Sequence, residues 1–321
     1  MTEPYSAAGG LVRVYPPTTP PGMIPNGAGL VWAHGGGFAG GDLDMPEADG
    51  VARALAAHGV TVVSVDYALA PTRAAWAESL GLPAKDGVHF PTASDDVIAA
   101  FRWALESELS PGPWALGGAS AGANLATGAT LRLIADGGLP PSLVVLAYPT
   151  LLAVQPEPDA VLRAALDADR EADTFGPDAV LGMYENYLGG PIDGAPLAAI
   201  PGLATPEDLV HFPPTLMING EVDELRVSGE HFARTLAAAG CDIVALTEPG
   251  TRHGHLNRPD LPAAAASIDR IAARLASLPA SPSNPHLAAR VHPPTPPESV
   301  DSSSDASTRA SVNLPTEGSL S

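Results

Sequence analysis

Ser120, Asp223 and His253 are the side chains of this chain whose types and order could assemble an activated nucleophile. A serine hydroxyl attacks poorly at neutral pH; it needs a base to take its proton and a third group to hold that base in the right tautomer. Ser120 lies in Gly118-Ala119-Ser120-Ala121-Gly122, the G-x-S-x-G pattern of a sharp strand-to-helix turn that lifts a hydroxyl clear of a sheet. Glycine on either side lets the backbone fold tightly there. On its own the pentapeptide fits an incidental serine in a Gly/Ala-rich turn equally well, so its partners decide. Gly220-Glu221-Val222-Asp223-Glu224-Leu225-Arg226 places acids after one apolar run, and His253 and His255 follow the next. Asp223 is the preferred orienting acid, with Glu221 and Glu224 as rivals. His253 is the preferred base and His255 its rival, the unused histidine being a surface or pocket-wall residue.

Attack on a carbonyl creates a negative oxygen, and each backbone N–H aimed at it contributes about 3 to 4 kcal/mol. His34-Gly35-Gly36-Gly37-Phe38 follows an apolar run and is too rich in glycine for regular structure. The amides of Gly36 and Gly37, with that of Ala121 after the serine, are the expected donors. Gly35, Gly37 and Gly40 also satisfy G-x-G-x-x-G, with Asp66 ending the next strand as a ribose-binding acid would. That dinucleotide reading needs a helix to open within the glycines, whereas Gly41-Asp42 and Pro46 delay it; it also leaves His34, Ser120, Asp223 and His253 unused.

The elements that must position these residues alternate. Strands are expected over 11–15 (an edge), 30–33, 60–65, the run from Trp114 to the elbow, 142–147, 215–220 and 242–247. Helices are expected over 46–58, 94–108, 121–136, 228–239 and 260–276, with two helical pieces near 159–168 and 177–187. Repeated β-α alternation implies a mostly parallel sheet with helices on both faces. Residues 16–25 read as a Pro-rich link, 71–91 as an inserted loop carrying Trp76, and about 150–205 as an insertion over the sheet's rim. From about 280 the composition turns to Pro, Ser, Thr and Ala, expected as a disordered tail.

A length of 321 residues with 45% hydrophobic content supports a sizeable core. A formal net charge of -20, with Lys85 the one lysine, disfavours nucleic acid and anionic membranes as partners. Cys241 stands alone, which excludes an internal disulfide and a Cys-rich metal site and fits a reducing compartment. Met1-Thr2-Glu3-Pro4 lacks the basic flank and apolar stretch of a signal peptide. The apolar run around 143–154, interrupted by Pro149, is too short for a bilayer. The expectation is a cytoplasmic protein without stable membrane insertion.

In combination, these motifs resemble those of the hormone-sensitive-lipase-like esterases of the α/β-hydrolase fold, from about 34 to 255. The resemblance rests on H-G-G-G-F with Gly41-Asp42, Val65-Asp66-Tyr67-Ala68-Leu69-Ala70-Pro71, the elbow continuing to Asn124-Leu125-Ala126, Tyr148-Pro149, Asp223-Glu224-Leu225-Arg226 and His253-Gly254. It implies Ser120 as nucleophile, His253 as base, Asp223 as orienting acid, Gly36, Gly37 and Ala121 as oxyanion donors, and His34 with Gly35 as support for that loop. Departures bear on substrate: Ala119 stands where the family often has Asp, Ala123 where it often has Gly, and His255 where an aromatic residue usually follows His-Gly. The segment before His34 is shorter than the family's, where it helps build a lid, so the site is expected to be more open or roofed by 71–91 and 150–205. The expected architecture is thus an α/β-hydrolase domain over 1–279 with a reduced cap. The expected activity is hydrolysis of small to medium carboxylic esters through an acyl-enzyme, without metal or cofactor. Lactones, arylformamides or acetyl esters are the alternative substrates, and a non-catalytic small-molecule receptor is the competing class. Oligomeric state is open, a homodimer included.

Overall fold

The computed structural model describes residues 3–18, 27–72 and 84–279. The start of the chain (1–2), the later part of the Pro-rich link (19–26), most of the expected inserted loop (73–83, with Trp76) and the expected tail from 280 lie outside the described residues.

Among the described residues, eight strands form one sheet: β1 (Tyr5–Ala7), β2 (Val12–Tyr15), β3 (Gly29–Ala33), β4 (Thr61–Val65), β5 (Trp114–Ala119), β6 (Val144–Ala147), β7 (Thr215–Val222) and β8 (Ile243–Arg252). Their spatial order is β1-β2-β4-β3-β5-β6-β7-β8. The first two pairings are antiparallel and the rest parallel, as expected for an α/β-hydrolase sheet. Every residue of β3, β4, β5 and β6 is buried, as in parallel strands covered on both faces, and all but Thr61 and Ser64 of β4 are apolar or glycine.

The α-helices among the described residues are α1 (Val51–Ala57), α2 (Thr92–Glu106), α3 (Ala121–Ala135), α4 (Ala160–Ala168), α5 (Pro177–Leu188), α6 (Arg226–Ala238) and α7 (Pro262–Ala276). Side chains alternate along β3. Leu30 and Trp32 pack in the layer that holds Val51 and Leu55 of α1 with Ile271 and Leu275 of α7. Val31 and Ala33 pack in the opposite layer, with Val97 and Phe101 of α2 and Leu125 of α3.

After β4 the chain crosses to β5 on the far side of β3, with Ala33 opposite Gly118. The carboxyl ends of β3 and β5 therefore lie side by side where the strand order reverses, the place at which open α/β sheets hold their ligands. Between β6 and β7 the chain makes its long excursion through α4 and α5. The α4 start is capped by Asp159 Oδ1, which accepts from the amides of Val161 (3.0 Å) and Leu162 (2.8 Å). Inward-facing Tyr187 of α5 stacks on Phe38 with ring centroids 4.0 Å apart, tying this helix to the loop after β3.

Two elements differ from expectation. Residues 11–15 are not the edge, since β1 pairs outside β2. The last strand does not stop near 247 but runs to Arg252, an irregularity in register between Gly220 and Val222 of β7 absorbing the extra length.

Candidate active site

Ser120 directly follows β5 and is the N-cap residue of α3, in a backbone conformation that L-residues rarely adopt, φ 51° and ψ -116°. The neighbours hold it there. A Cβ on Gly122 would lie 2.2 Å from Ala33 O, and one on Gly118 2.4 Å from the Gly122 carbonyl carbon, so the turn can form only with glycine at both places. The Ser120 amide donates to Ala147 O of β6 at 2.9 Å. The hydroxyl is thereby aimed away from the sheet, at His253.

His253 Nε2 lies 2.9 Å from Ser120 Oγ, and its Nδ1 lies 2.8 Å from Asp223 Oδ2. An ionised carboxylate only accepts, so Nδ1 carries the hydrogen and Nε2 is free to accept from Ser120. Asp223 is fully buried beyond the end of β7, its second oxygen accepting from the Leu225 amide at 3.0 Å. Burial opposes protonation of the His253 ring and is the largest single influence on it. The charge and hydrogen bond of Asp223, with the charge of Glu47, outweigh that effect and raise the imidazole pKa above 6.5. Neither rival acid reaches the ring: Glu221 Oε2 accepts from the Gly250 amide at 2.7 Å, and Glu224 Oε2 is buried without a partner.

The glycine loop after β3 shares this rim. Gly36 has φ 122°, and a Cβ there would lie 2.1 Å from Gly40 O, so no other residue fits. Gly36 and Gly37 line one cavity with Ser120 and His253. Among the described residues none accepts a hydrogen bond from the amides of Gly36, Gly37 or Ala121. His34 lies behind the loop: its Nδ1 donates to Gly35 O at 2.7 Å, its ring stacks on Tyr67 at 4.5 Å, and Tyr67 Oη donates to His34 O at 2.8 Å. Burial lowers the His34 pKa below 6.5, so it braces as a neutral ring. A helix does not open within the glycines. One turn over Pro46–Gly50 leads into α1, which removes the geometry a dinucleotide phosphate would need.

Sequence reasoning missed Glu47. Its side chain is buried, one oxygen accepting from the Gly35 amide and the other from Tyr148 Oη, both at 2.7 Å. It thus fastens the glycine loop to the turn after β6. Nothing local marks it, because its partners lie 12 and 101 positions away. His255 requires a correction: it is neither a surface nor a pocket-wall residue but is 2% exposed, with Nε2 2.9 Å from Ser267 Oγ of α7. The α7 helix covers it, a contact that loop position alone does not reveal.

The cavity measures about 710 Å³ and is also lined by Met45, Phe175 and the α5 residues Asp178, Ala179, Gly182, Met183 and Asn186. Phe175 meets the His253 ring edge-on at 4.6 Å. A hydroxyl hydrogen-bonded to an imidazole, free amides beside it and an apolar cavity can together capture a carbonyl compound and stabilise the oxyanion formed on it. Among the described residues, no helix is long and apolar enough to cross a membrane, and no three His, Cys, Asp or Glu side chains gather as metal ligands would.

Known proteins with the same fold and related sequences show the family of this chain. A family model described as alpha/beta hydrolase fold matches residues 30–79 and 87–257. Carboxylesterase NlhH of Mycobacterium tuberculosis is 33% identical over 253 residues, 77% of this chain and 71% of NlhH. Ethyl acetate hydrolase of Pseudomonas putida is 33% identical over 249 residues, 75% of this chain and 70% of that one. Brefeldin A esterase, a bacterial homologue of human hormone sensitive lipase, aligns in structure with a TM-score of 0.67 at 28% identity, over 86% of this chain and 76% of its own. The chain belongs to the alpha/beta-hydrolase-fold family, among the carboxylesterases that resemble hormone-sensitive lipase.

Proposed function

We propose that this chain hydrolyses small to medium carboxylic esters through an acyl-enzyme on Ser120, with His253 as general base and acid and Asp223 as its orienting partner. One observation carries the reading: the unbroken hydrogen-bonded line from Asp223 through His253 to Ser120, opening on the cavity that Gly36 and Gly37 also line. Ser120 Oγ attacks the ester carbonyl as its proton passes to His253 Nε2. The negative oxygen is received by the amides of Gly36, Gly37 and Ala121, in a loop held by His34, Glu47 and Gly35. Collapse of the tetrahedral adduct breaks the bond to the alkoxy group, which leaves as alcohol with the proton from Nε2. A water then attacks the acyl-serine, His253 taking its proton, and the carboxylic acid departs as Oγ regains a proton. Residues 150–205 serve as the cap, α5 being its wall on the cavity.

Acetyl esters are favoured among the alternatives, since one relative is named for ethyl acetate hydrolysis. A receptor on a retired enzyme fold would have no use for a base within hydrogen-bonding distance of the serine. Turnover of p-nitrophenyl acetate and butyrate by wild type and Ser120→Ala tests the mechanism, alongside mass-spectrometric detection of a fluorophosphonate adduct. Activity and an adduct are expected in wild type and neither in the variant; equal turnover in both proteins would overturn it.

A further inference from the structure

Helix α5 presents Asp178, Ala179, Gly182, Met183 and Asn186 to the cavity, the spacing of one helical face. Its other face, Val180, Tyr184 and Tyr187, is buried, and Phe38 stacks on Tyr187 and meets Tyr184 edge-on at 5.6 Å. Phe38 immediately follows the glycine loop, so the wall and the amides beside Ser120 are held in fixed relation.

Within this wall Gly182 has no packing reason to be glycine. Only proline is less favourable inside a helix, and the comparable glycines of α3 and α6 are each forced by a neighbour. A Cβ would lie 2.2 Å from Ala33 O at Gly122, 1.9 Å from Ala198 O at Gly128, and 2.6 Å from Asn219 Oδ1 at Gly229. At Gly182 no described atom lies within 4 Å of the Cβ position. What a side chain there would take up is cavity, next to the half-buried apolar Met183 and Phe175.

We infer that Gly182 sets the substrate reach of this site: its missing side chain leaves room along α5 for the alkyl chain of a medium-length ester. The inference rests on the ester-hydrolase reading above. A cavity of about 710 Å³ falls in the range that encloses a drug-sized ligand, more than an acetyl group needs. Each methylene buried against the wall multiplies affinity about fourfold.

The test compares kcat/KM for p-nitrophenyl octanoate and acetate in wild type, Gly182→Ala and Gly182→Leu, with melting temperature as the check on folding. The octanoate-to-acetate ratio is expected to fall about fourfold in the alanine variant and about 30-fold in the leucine variant, as the new side chain displaces one and then two to three methylenes. Melting temperatures should stay level or rise, because glycine is the weaker helix former. Calorimetric binding of the octanoate ester to Ser120→Ala, with and without Gly182→Leu, gives the same comparison without turnover and decides alone if neither ester is cleaved. A ratio and an affinity unchanged by both substitutions overturn the inference. Turnover that survives Ser120→Ala overturns the serine mechanism instead, and leaves the ratio as the measure of the pocket.

Discussion

Two clusters of serine, histidine and carboxylate lie on either side of Tyr148, whose ring meets His253 and His255 edge-on, both at 5.0 Å. In the first, histidine is the middle member: Asp223 holds Nδ1 and Ser120 meets Nε2. In the second, serine is the middle member: Ser267 Oγ donates to Glu248 Oε2 at 3.4 Å and meets His255 Nε2 at 2.9 Å. The hydrogen of Ser267 goes to the carboxylate, His255 donates to the serine, and His255 Nδ1 is left without a partner. On the proposed mechanism, the same three residue types therefore activate a hydroxyl in one order, while in the other they only join α7 to β8. Access separates them further. Ser120 opens on the cavity from a strained turn, while Ser267, His255 and Glu248 are 0%, 2% and 4% exposed.

Exchanging each serine for alanine gives the widest contrast. Ser120→Ala is expected to lower kcat for p-nitrophenyl butyrate by about 10⁴-fold or more, the scale on which triad enzymes lose their nucleophile. Ser267→Ala should keep kcat near wild type and lower stability by about 1 to 3 kcal/mol, read by urea unfolding, because its buried partners lose a hydrogen bond. A comparable loss of activity from Ser267→Ala would mean that the second cluster takes part in the chemistry. The two acids come next. Asp223→Asn is expected to cost about 10⁴-fold in kcat, since an amide turns the imidazole to the wrong tautomer, whereas Glu248→Gln leaves the His253 tautomer untouched. Steady-state kinetics of the pair would dissolve the distinction if both fell alike.

How far these assignments could be read from the chain depends on how local their causes are. Ser120 is legible because the glycines that force its turn are its own neighbours, and Asp223 and His253 because strand ends in a parallel sheet deliver them to one rim. The α5 helix is legible from its apolar spacing, but not the fact that Gly182 faces a cavity, which requires Tyr187 to be seated on Phe38. Glu47 and His255 are set by partners remote in sequence: Tyr148 for one, Ser267 for the other. β1 escapes notice because three residues, none of them buried, carry no alternation to detect. Pro249 and Gly250 punctuate β8 as a loop would, yet the strand continues through them as an irregular edge. Residues 73–83 and the chain from 280 lie outside the described residues.

The two histidines also differ in the sign of their titration, and the activity profile exposes the first. His253 must be neutral to accept the Ser120 proton, and its pKa is raised above 6.5 because Asp223 and Glu47 overcome the effect of burial. kcat/KM is therefore expected to decline about tenfold per pH unit below a midpoint higher than that of a free histidine. In Asp223→Asn the residual activity should show this midpoint displaced to lower pH, burial being less opposed; Glu248→Gln should leave it in place. A midpoint indifferent to Asp223 would detach the acid from the base.

The second histidine is read in stability. Burial is the main cause that lowers His255 to a pKa of about 4, against the opposing charge of Glu248, so the folded protein keeps the ring neutral between that value and 6.5. The unfolded chain takes up a proton over the same interval and the folded chain does not. Stability tied to this ring is therefore present above pH 6.5 and is lost progressively as pH falls to about 4, an effect of ~3 kcal/mol. His253 has the opposite sign: its raised pKa favours the folded state at low pH, and that contribution disappears as pH rises through its folded value. Urea unfolding at pH 7 and pH 4.5 separates the two. His255→Gln, which cannot titrate, should lose less stability between these conditions than wild type, by an amount on the order of 2 to 3 kcal/mol. Equal losses in the two proteins would show that the ring beside Ser267 accepts its proton as readily folded as unfolded, and would undo the contrast between a histidine placed to gain a proton and one sealed against it.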